Sequence, residues 1–322
     1  AASSLGLIVF ARGASFDIIL TFPMTAAMVS FFVFDRRASG ENSGSQILPL
    51  ASFYFFVGVS LLAKGLVGAV FPFAIIAFYF LISRRLPNRF FLLSLVWGGL
   101  LTLIVAASWY WPMYQQNGWK FIDEFFIQHH FQRYTSNKYF HPQPFYFFFW
   151  VLPLMTLPWL PFFFAGIWRF VKDVISKVKA NTDIEAVLPQ TLSPLFLYSI
   201  AWLLVPLVFF SFSGSKLPGY ILPALPPALV ITTLSVLRFI SGNEFRSRVI
   251  RAIAIATFVI VTAMLIFVVP RFAETDSVKG LILAADLRGH SSLKVMTLYT
   301  VSHNAEFYAP GRLISYGVGK QR

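Results

Sequence analysis

The chain has 322 residues, of which 57% are hydrophobic and only 12% charged, and its mean hydropathy is +0.70. An ordinary soluble domain carries roughly 25% charged residues, so this composition reads as an integral membrane protein. The net charge of +13 would suggest nucleic acid in a soluble protein, but here the basic residues gather at the ends of apolar runs, where membrane orientation accounts for them. With no cysteine, a disulfide framework and a thiolate metal site are both excluded.

The sequence opens in mid-pattern, with AASSLGLIVFARG and no initiating Met, and is expected to be a fragment lacking its N-terminal part. Apolar runs then predict about eight spans: Asp17–Phe34, Ile47–Leu62, Leu66–Ile82, Phe90–Ser108, Pro144–Ile167, Leu192–Phe212, Tyr220–Leu237 and Ala252–Val269. The stretch from Ile47 to Ser83 holds one charge, Lys64, and is twice the length one span needs. It is expected to be a hairpin turning at Lys64-Gly65. No alternating ten-residue strands occur, so the expected fold is an all-α polytopic bundle rather than a barrel.

Basic residues divide unequally between alternate loops. One set, at Arg36-Arg37, Arg84-Arg85 with Arg89, Arg169 to Lys179, and Arg238 to Arg251, holds thirteen; the other holds six, namely Arg12, Lys64, Lys120, Arg133, Lys138 and Lys216. The positive-inside rule puts the richer set in the cytoplasm, so the six and the tail after Pro270 face outward. Outward-facing basic residues run against the orientation bias and are the better functional candidates.

The largest outer loop, Trp109 to Gln143, begins with interfacial aromatics, and Trp119, Ile122, Phe125 and Phe126 follow a helical period suited to a short helix lying on the membrane. That helix would deliver Gln128, His129, His130 and Arg133 to the outer boundary, where the alternative is a solvated polar face. Adjacent histidines diverge on a helix, so His129, His130 and His141 could hold a metal only with ligands from elsewhere.

Further on, SGSKLPGYILP (Ser213–Pro223) places Lys216 and Tyr220 in the short break between two apolar runs. An ammonium there can pair with a phosphate while Gly214 and Gly219 allow close backbone approach; the alternative is a lysine snorkelling to the interface. Arg12 and Asp17 form the remaining outer polar pair, and Asp17 either favours a helix N-terminus or helps order an outer site. The tail from Arg271 changes composition, and LKVMTLYT alternates like a strand. Residues 1–270 are therefore expected to be the transmembrane region and 271–322 the start of a small extracytoplasmic α/β domain.

Five motifs occur in one order: ARGASFD (Ala11–Asp17), LLAKGLVG (Leu61–Gly68), W-x-W-P…FFIQHHFQRY (Trp109–Tyr134), HPQPFYFFFWVLPLMTLPW (His141–Trp159) and SKLPGYILPALPP (Ser215–Pro227). Together they resemble the polyprenyl-phosphate-dependent glycosyltransferases of the GT-C type, the group containing the lipid A aminoarabinose transferases and the protein O-mannosyltransferases. The resemblance implies a multi-spanning bacterial inner-membrane enzyme with a GT-C-like helical bundle. Such an enzyme moves a sugar from an undecaprenyl-phosphate-type donor to a lipid or protein acceptor outside the cytoplasm, without nucleic acid or any required cofactor.

Carried over, the resemblance implies that Arg133 binds donor phosphate and that Lys216, Tyr220, Lys64 and Asp17 line the same cavity. Arg12, His129, His130 and Tyr134 stand beside them as substrate-binding candidates. Asp17 is the candidate catalytic acid within the chain, while the family's principal carboxylate would precede Ala1. The family often has an acidic residue between two polar ones where this chain has Gln128-His129-His130. The competing class is a transporter or flippase for an anionic lipid or solute, which would place polar elements nearer the membrane midplane.

Overall fold

The structure is a computed structural model that describes residues 3–13, 15–41, 43–123, 125, 143–179, 193–298 and 303–316. The chain divides into two compact units, residues 1–247 and 248–322. The first is a helical bundle. Helices α1 (Leu5–Arg12), α2 (Phe16–Ala38), α3 (Ile47–Lys64), α4 (Val67–Ser83) and α5 (Arg89–Asn117) are followed by α6 (Phe147–Met155), α7 (Leu160–Lys179) and α8 (Pro194–Ser211). A 3-10 segment (Pro218–Ala224) then leads directly into α9 (Leu225–Ile240).

Local chemistry explains these boundaries. Ser15 caps α2 by accepting from the Asp17 amide at 3.2 Å, with Asp17 in the first turn and Arg36 and Arg37 in the last, so charge complements the helix dipole at both ends. Asn88 caps α5 in the same way through the Phe90 amide at 2.9 Å. The hairpin expected at Lys64-Gly65 is present: Gly65 takes φ of 63°, a conformation that costs glycine least, and its N–H closes α3 on Leu61 O at 2.7 Å.

The core is an aromatic seam. On α2, Leu20, Met24, Ala27, Phe31 and Phe34 recur at helical spacing and are fully buried, and Phe31 meets Phe53, Phe80, Phe91 and Tyr198 with ring centroids 5.3–6.1 Å apart. Lipid cannot drive helices together by hydrophobicity, so close packing and interhelical hydrogen bonds must do so. Helices α3 and α5 use both. A side chain at Gly98 would collide with the Tyr54 ring, and a Cβ on Gly58 would sit 2.7 Å from Val105 Cβ. Tyr54 shares a 2.9 Å hydrogen bond with Ser94 and its carbonyl accepts from Thr102 at 2.9 Å. The opposite face of α5, with Leu93, Val96 and Leu103 exposed, suits lipid.

Among the described residues, six helical stretches are long and apolar enough to cross a membrane: Phe16–Ala38, Ile47–Lys64, Arg89–Asn117, Pro194–Ser211, Pro218–Ile240 and Glu244–Glu274; α4 is shorter. The all-α polytopic membrane fold expected from the sequence is the one observed. One expected span differs: Pro144–Ile167 is not a single helix but α6 and α7 with a break at residues 156–159. Pro153, Pro158 and Pro161 remove three amide donors within nine residues, so no uninterrupted helical ladder can run through. The outer-loop helix starts at Trp119–Ile122, and its continuation through His129, His130, Arg133 and Tyr134 lies outside the described residues.

Helix α10 (Glu244–Ala263), most of which belongs to the second unit, continues through a π segment (Met264–Val268) into Val269–Asp276, and no residue of α10 is buried. Beyond α11 (Lys279–Ala285), β1 (Val295–Leu298) pairs in parallel with β2 (Leu313–Tyr316), joined by α12 (His303–Tyr308). The strand predicted in LKVMTLYT is β1. Arg312 fastens this piece through a two-pronged pair with Asp286 at 2.8 and 3.2 Å.

Candidate active site

The residues that bear on chemistry meet at the ends of α2 and α3 and along the 3-10 segment. Lys64, the last residue of α3, forms an ion pair with Oδ1 of Asp17 in the first turn of α2. The other carboxylate oxygen, Oδ2, accepts from Ser15 Oγ at 3.2 Å. The Lys64 ammonium also lies over the Tyr220 ring, 4.8 Å from its centroid, and that ring packs on Phe210 at 5.7 Å. Tyr220 is buried and the Lys64 side chain is about a quarter exposed.

Gly219 is what lets these groups meet. A Cβ at this position would collide with Asp17 Oδ2 and approach Phe10 to 3.0 Å, so the carboxylate occupies the space a side chain would take. Glycine is required here for room, since its φ lies outside the left-handed region. Nearby, the Tyr110 hydroxyl donates to Leu61 O at 2.7 Å and holds the C-terminal turn of α3, and with it Lys64.

Lys216 departs from the snorkelling alternative. It is only 6% exposed, so it does not snorkel, and its ammonium donates to the Ser213 carbonyl at 2.7 Å and the Gln143 carbonyl at 3.0 Å. Burial pushes it below the ordinary lysine value. An ammonium has three N–H donors, and these two bonds leave one. Lys216 thus ties the chain leaving α8 to the start of the α6 segment, a structural role the sequence did not indicate.

Among the predicted site residues, Asp17, Lys64 and Tyr220 are brought together, and Lys216 sits four residues before Tyr220 in the same turn. Arg12 ends α1 exposed, while Asp17 is held by Lys64 and Ser15. An exposed guanidinium gains little from one carboxylate, whereas Lys64 is fixed by its helix end. Arg133, Tyr134, His129 and His130 lie outside the described residues. Gly219 was expected to allow close approach, but not to Asp17; the parts of Ser15 and Tyr110 in the cluster were missed, although ARGASFD contains the Ser-x-Asp cap that could have pointed to Ser15.

Comparison with known proteins gives a consistent answer. No family model matches the chain. An undecaprenyl phosphate-alpha-4-amino-4-deoxy-L-arabinose arabinosyl transferase of Aeromonas hydrophila subsp. hydrophila is 26% identical over 269 residues, covering 82% of this chain and 44% of the relative. The transferase of the same name from Aeromonas salmonicida is 28% identical over 235 residues, covering 72% of this chain and 38% of the relative. The chain therefore spans less than half the length of these curated relatives. Among solved structures, ArnT from Cupriavidus metallidurans bound to undecaprenyl phosphate aligns with a TM-score of 0.63 and 20% identity, covering 95% of this chain and 63% of that one. The resemblance read from the five motifs is borne out: the chain is similar in sequence to curated undecaprenyl phosphate-aminoarabinose arabinosyl transferases, and its fold is that of ArnT from Cupriavidus metallidurans.

Proposed function

We propose that the protein carrying this chain is a membrane glycosyltransferase that moves a sugar from an undecaprenyl-phosphate-type donor to a lipid or protein acceptor outside the cytoplasm. The observation that carries this reading is the Asp17–Lys64–Tyr220 cluster beside the SKLPGY turn, in a chain with the fold of a protein solved with undecaprenyl phosphate. Asp17, itself held by Ser15, keeps Lys64 in place beside the Tyr220 ring, and an ammonium fixed there is suited to a phosphate oxygen. The remaining N–H of Lys216 and the Arg133 guanidinium supply further positive charge for the same group.

The reaction is a displacement at the anomeric carbon. The bond from that carbon to the phosphate oxygen breaks as the acceptor oxygen attacks, and the departing lipid phosphate keeps the electron pair. Lys64, Lys216 and Arg133 are proposed to stabilise the charge growing on that phosphate, and a general base to take the acceptor's proton. Both Asp17 oxygens are engaged, so Asp17 is proposed as a positioning residue for Lys64 rather than as the base. No cofactor is called for, because the phosphate ester is the activated leaving group. The buried charges Asp35, Arg36 and Lys216 stand at helix ends rather than midway along the spans, which favours headgroup chemistry over transport. The site is proposed to face the periplasm, with the bacterial inner membrane as its location.

The test is a transfer assay in the full-length protein with a radiolabelled undecaprenyl-phosphate sugar donor and lipid A as acceptor. Lys64→Gln and Arg133→Ala should each lower turnover by about one to two decades, the worth of a charge-assisted contact of about 1.5–3 kcal/mol. Arg169→Ala, an exposed charge on α7, should not. Equal turnover in all three at matched abundance contradicts the reading.

A further inference from the structure

A second polar cluster lies at the other end of α2. Asp35 is eighteen residues beyond Asp17, about 27 Å along a helix and close to the roughly 30 Å of a hydrocarbon core, so the two acids mark opposite membrane boundaries. Asp35 is only 5% exposed. Its Oδ2 accepts from Arg36 at 3.2 Å, Arg85 at 3.0 Å and the Tyr79 hydroxyl at 3.0 Å, whereas Oδ1 accepts none of these bonds.

Arg85 also donates to Tyr79 Oη at 2.7 Å and Ser39 Oγ at 3.2 Å. A guanidinium has five N–H donors, and these three bonds leave one on Nη1 and one on Nε. Beside the cluster is a cavity of about 300 Å³ with Phe34, Phe80 and Leu86 among its walls and Asp35, Arg85 and Asn88 as its charged and amide groups. Asn88 uses Oδ1 to cap α5, so its side-chain N–H groups are left for the cavity. Leu86 is 92% exposed and Arg85 partly so, which puts the mouth at that edge.

We propose that this cavity binds the headgroup of an amine-bearing phospholipid, a phosphoethanolamine group. Its phosphate would rest on Arg85, Asn88 and the first N–H groups of α5, and its ammonium on Asp35 Oδ1. Three observations support this occupant. The cavity stands at a membrane boundary, where headgroups are concentrated. It is lined by one cation and one anion, so a zwitterion meets both charges without leaving a net charge behind. Its volume is at the low end for ligand sites, enough for a headgroup, and the apolar wall at Leu86 leads toward lipid.

Native mass spectrometry of the full-length detergent-purified protein tests this, titrating phosphatidylethanolamine, phosphatidylcholine, phosphatidylglycerol and inorganic phosphate. Wild type should bind phosphatidylethanolamine about tenfold more tightly than the other two lipids, since phosphatidylcholine lacks the N–H donors for Asp35 and phosphatidylglycerol lacks the cation. Arg85→Gln and Ala38→Leu should each reduce that binding about tenfold, while Arg169→Gln should leave it unchanged. Ala38→Leu fills the cavity and keeps every charge, so it decides the matter alone if Arg85→Gln does not fold. Equal binding of the three lipids, undiminished binding in Ala38→Leu, or displacement of the lipid by equimolar inorganic phosphate would each overturn the proposal.

Discussion

Gly219 is packed against Asp17 so closely that a single methyl group would displace the carboxylate that holds Lys64. Gly219→Ala is therefore expected to separate Asp17 from Lys64 and to destabilise the bundle by about 1–3 kcal/mol, the usual cost of overpacking. Thermal unfolding in detergent reads the loss. An unchanged midpoint would mean that the 3-10 segment shifts freely and does not fix the site.

The Asp17–Lys64 pair also predicts coupling. Asp17→Asn and Lys64→Gln should each lower stability, and the double variant should lose less than the sum of the two. The coupling expected is about 1 kcal/mol, discounted because Lys64 is about a quarter exposed. A double-mutant cycle on unfolding free energy checks this, and strict additivity would show that the two charges do not sense one another.

Lys216 predicts a pH effect. Burial lowers its folded value, so on raising the pH the folded protein loses this proton before the unfolded chain does. The unfolded state then binds more protons, and this group's cost to stability eases between its folded value and the ordinary lysine range. Donor binding that relies on the ammonium should instead fall over the same window. Lys216→Arg, which stays charged there, should abolish that alkaline loss of binding. An identical alkaline limb in wild type and Lys216→Arg would remove Lys216 from the binding site.

Topology is testable because the chain has no cysteine. Single cysteines introduced at Ser136 and Ser176 should react with an impermeant thiol reagent from opposite sides of the membrane, as the thirteen-to-six division of basic residues requires. Labelling of both positions in intact cells contradicts that orientation.

Much of the bundle was legible because apolar length is a direct physical requirement for crossing lipid, and the Lys64-Gly65 hairpin followed from the same counting. The α6–α7 break was less visible: hydropathy averages over prolines, whereas the backbone registers each missing donor. The Asp17–Lys64–Tyr220 meeting could be named from motifs but not built from them, since it depends on Gly219 having no side chain across a gap of two hundred residues. The Asp35 cluster was hidden for another reason. Arg36 and Arg85 satisfy the positive-inside rule and so read as orientation charges, while the buried acid they share lies in the same short run as Arg36-Arg37.

The central claim, that this cluster reads a lipid phosphate, is tested most directly by donor affinity in the full-length protein. Binding of undecaprenyl phosphate is compared with that of uncharged undecaprenol, in wild type and in Lys64→Gln. The account predicts that wild type prefers the phosphate and that Lys64→Gln loses about 1.5–3 kcal/mol of that preference while binding undecaprenol as before. A wild type that binds both lipids equally, or a Lys64→Gln variant that keeps the full preference, would contradict it.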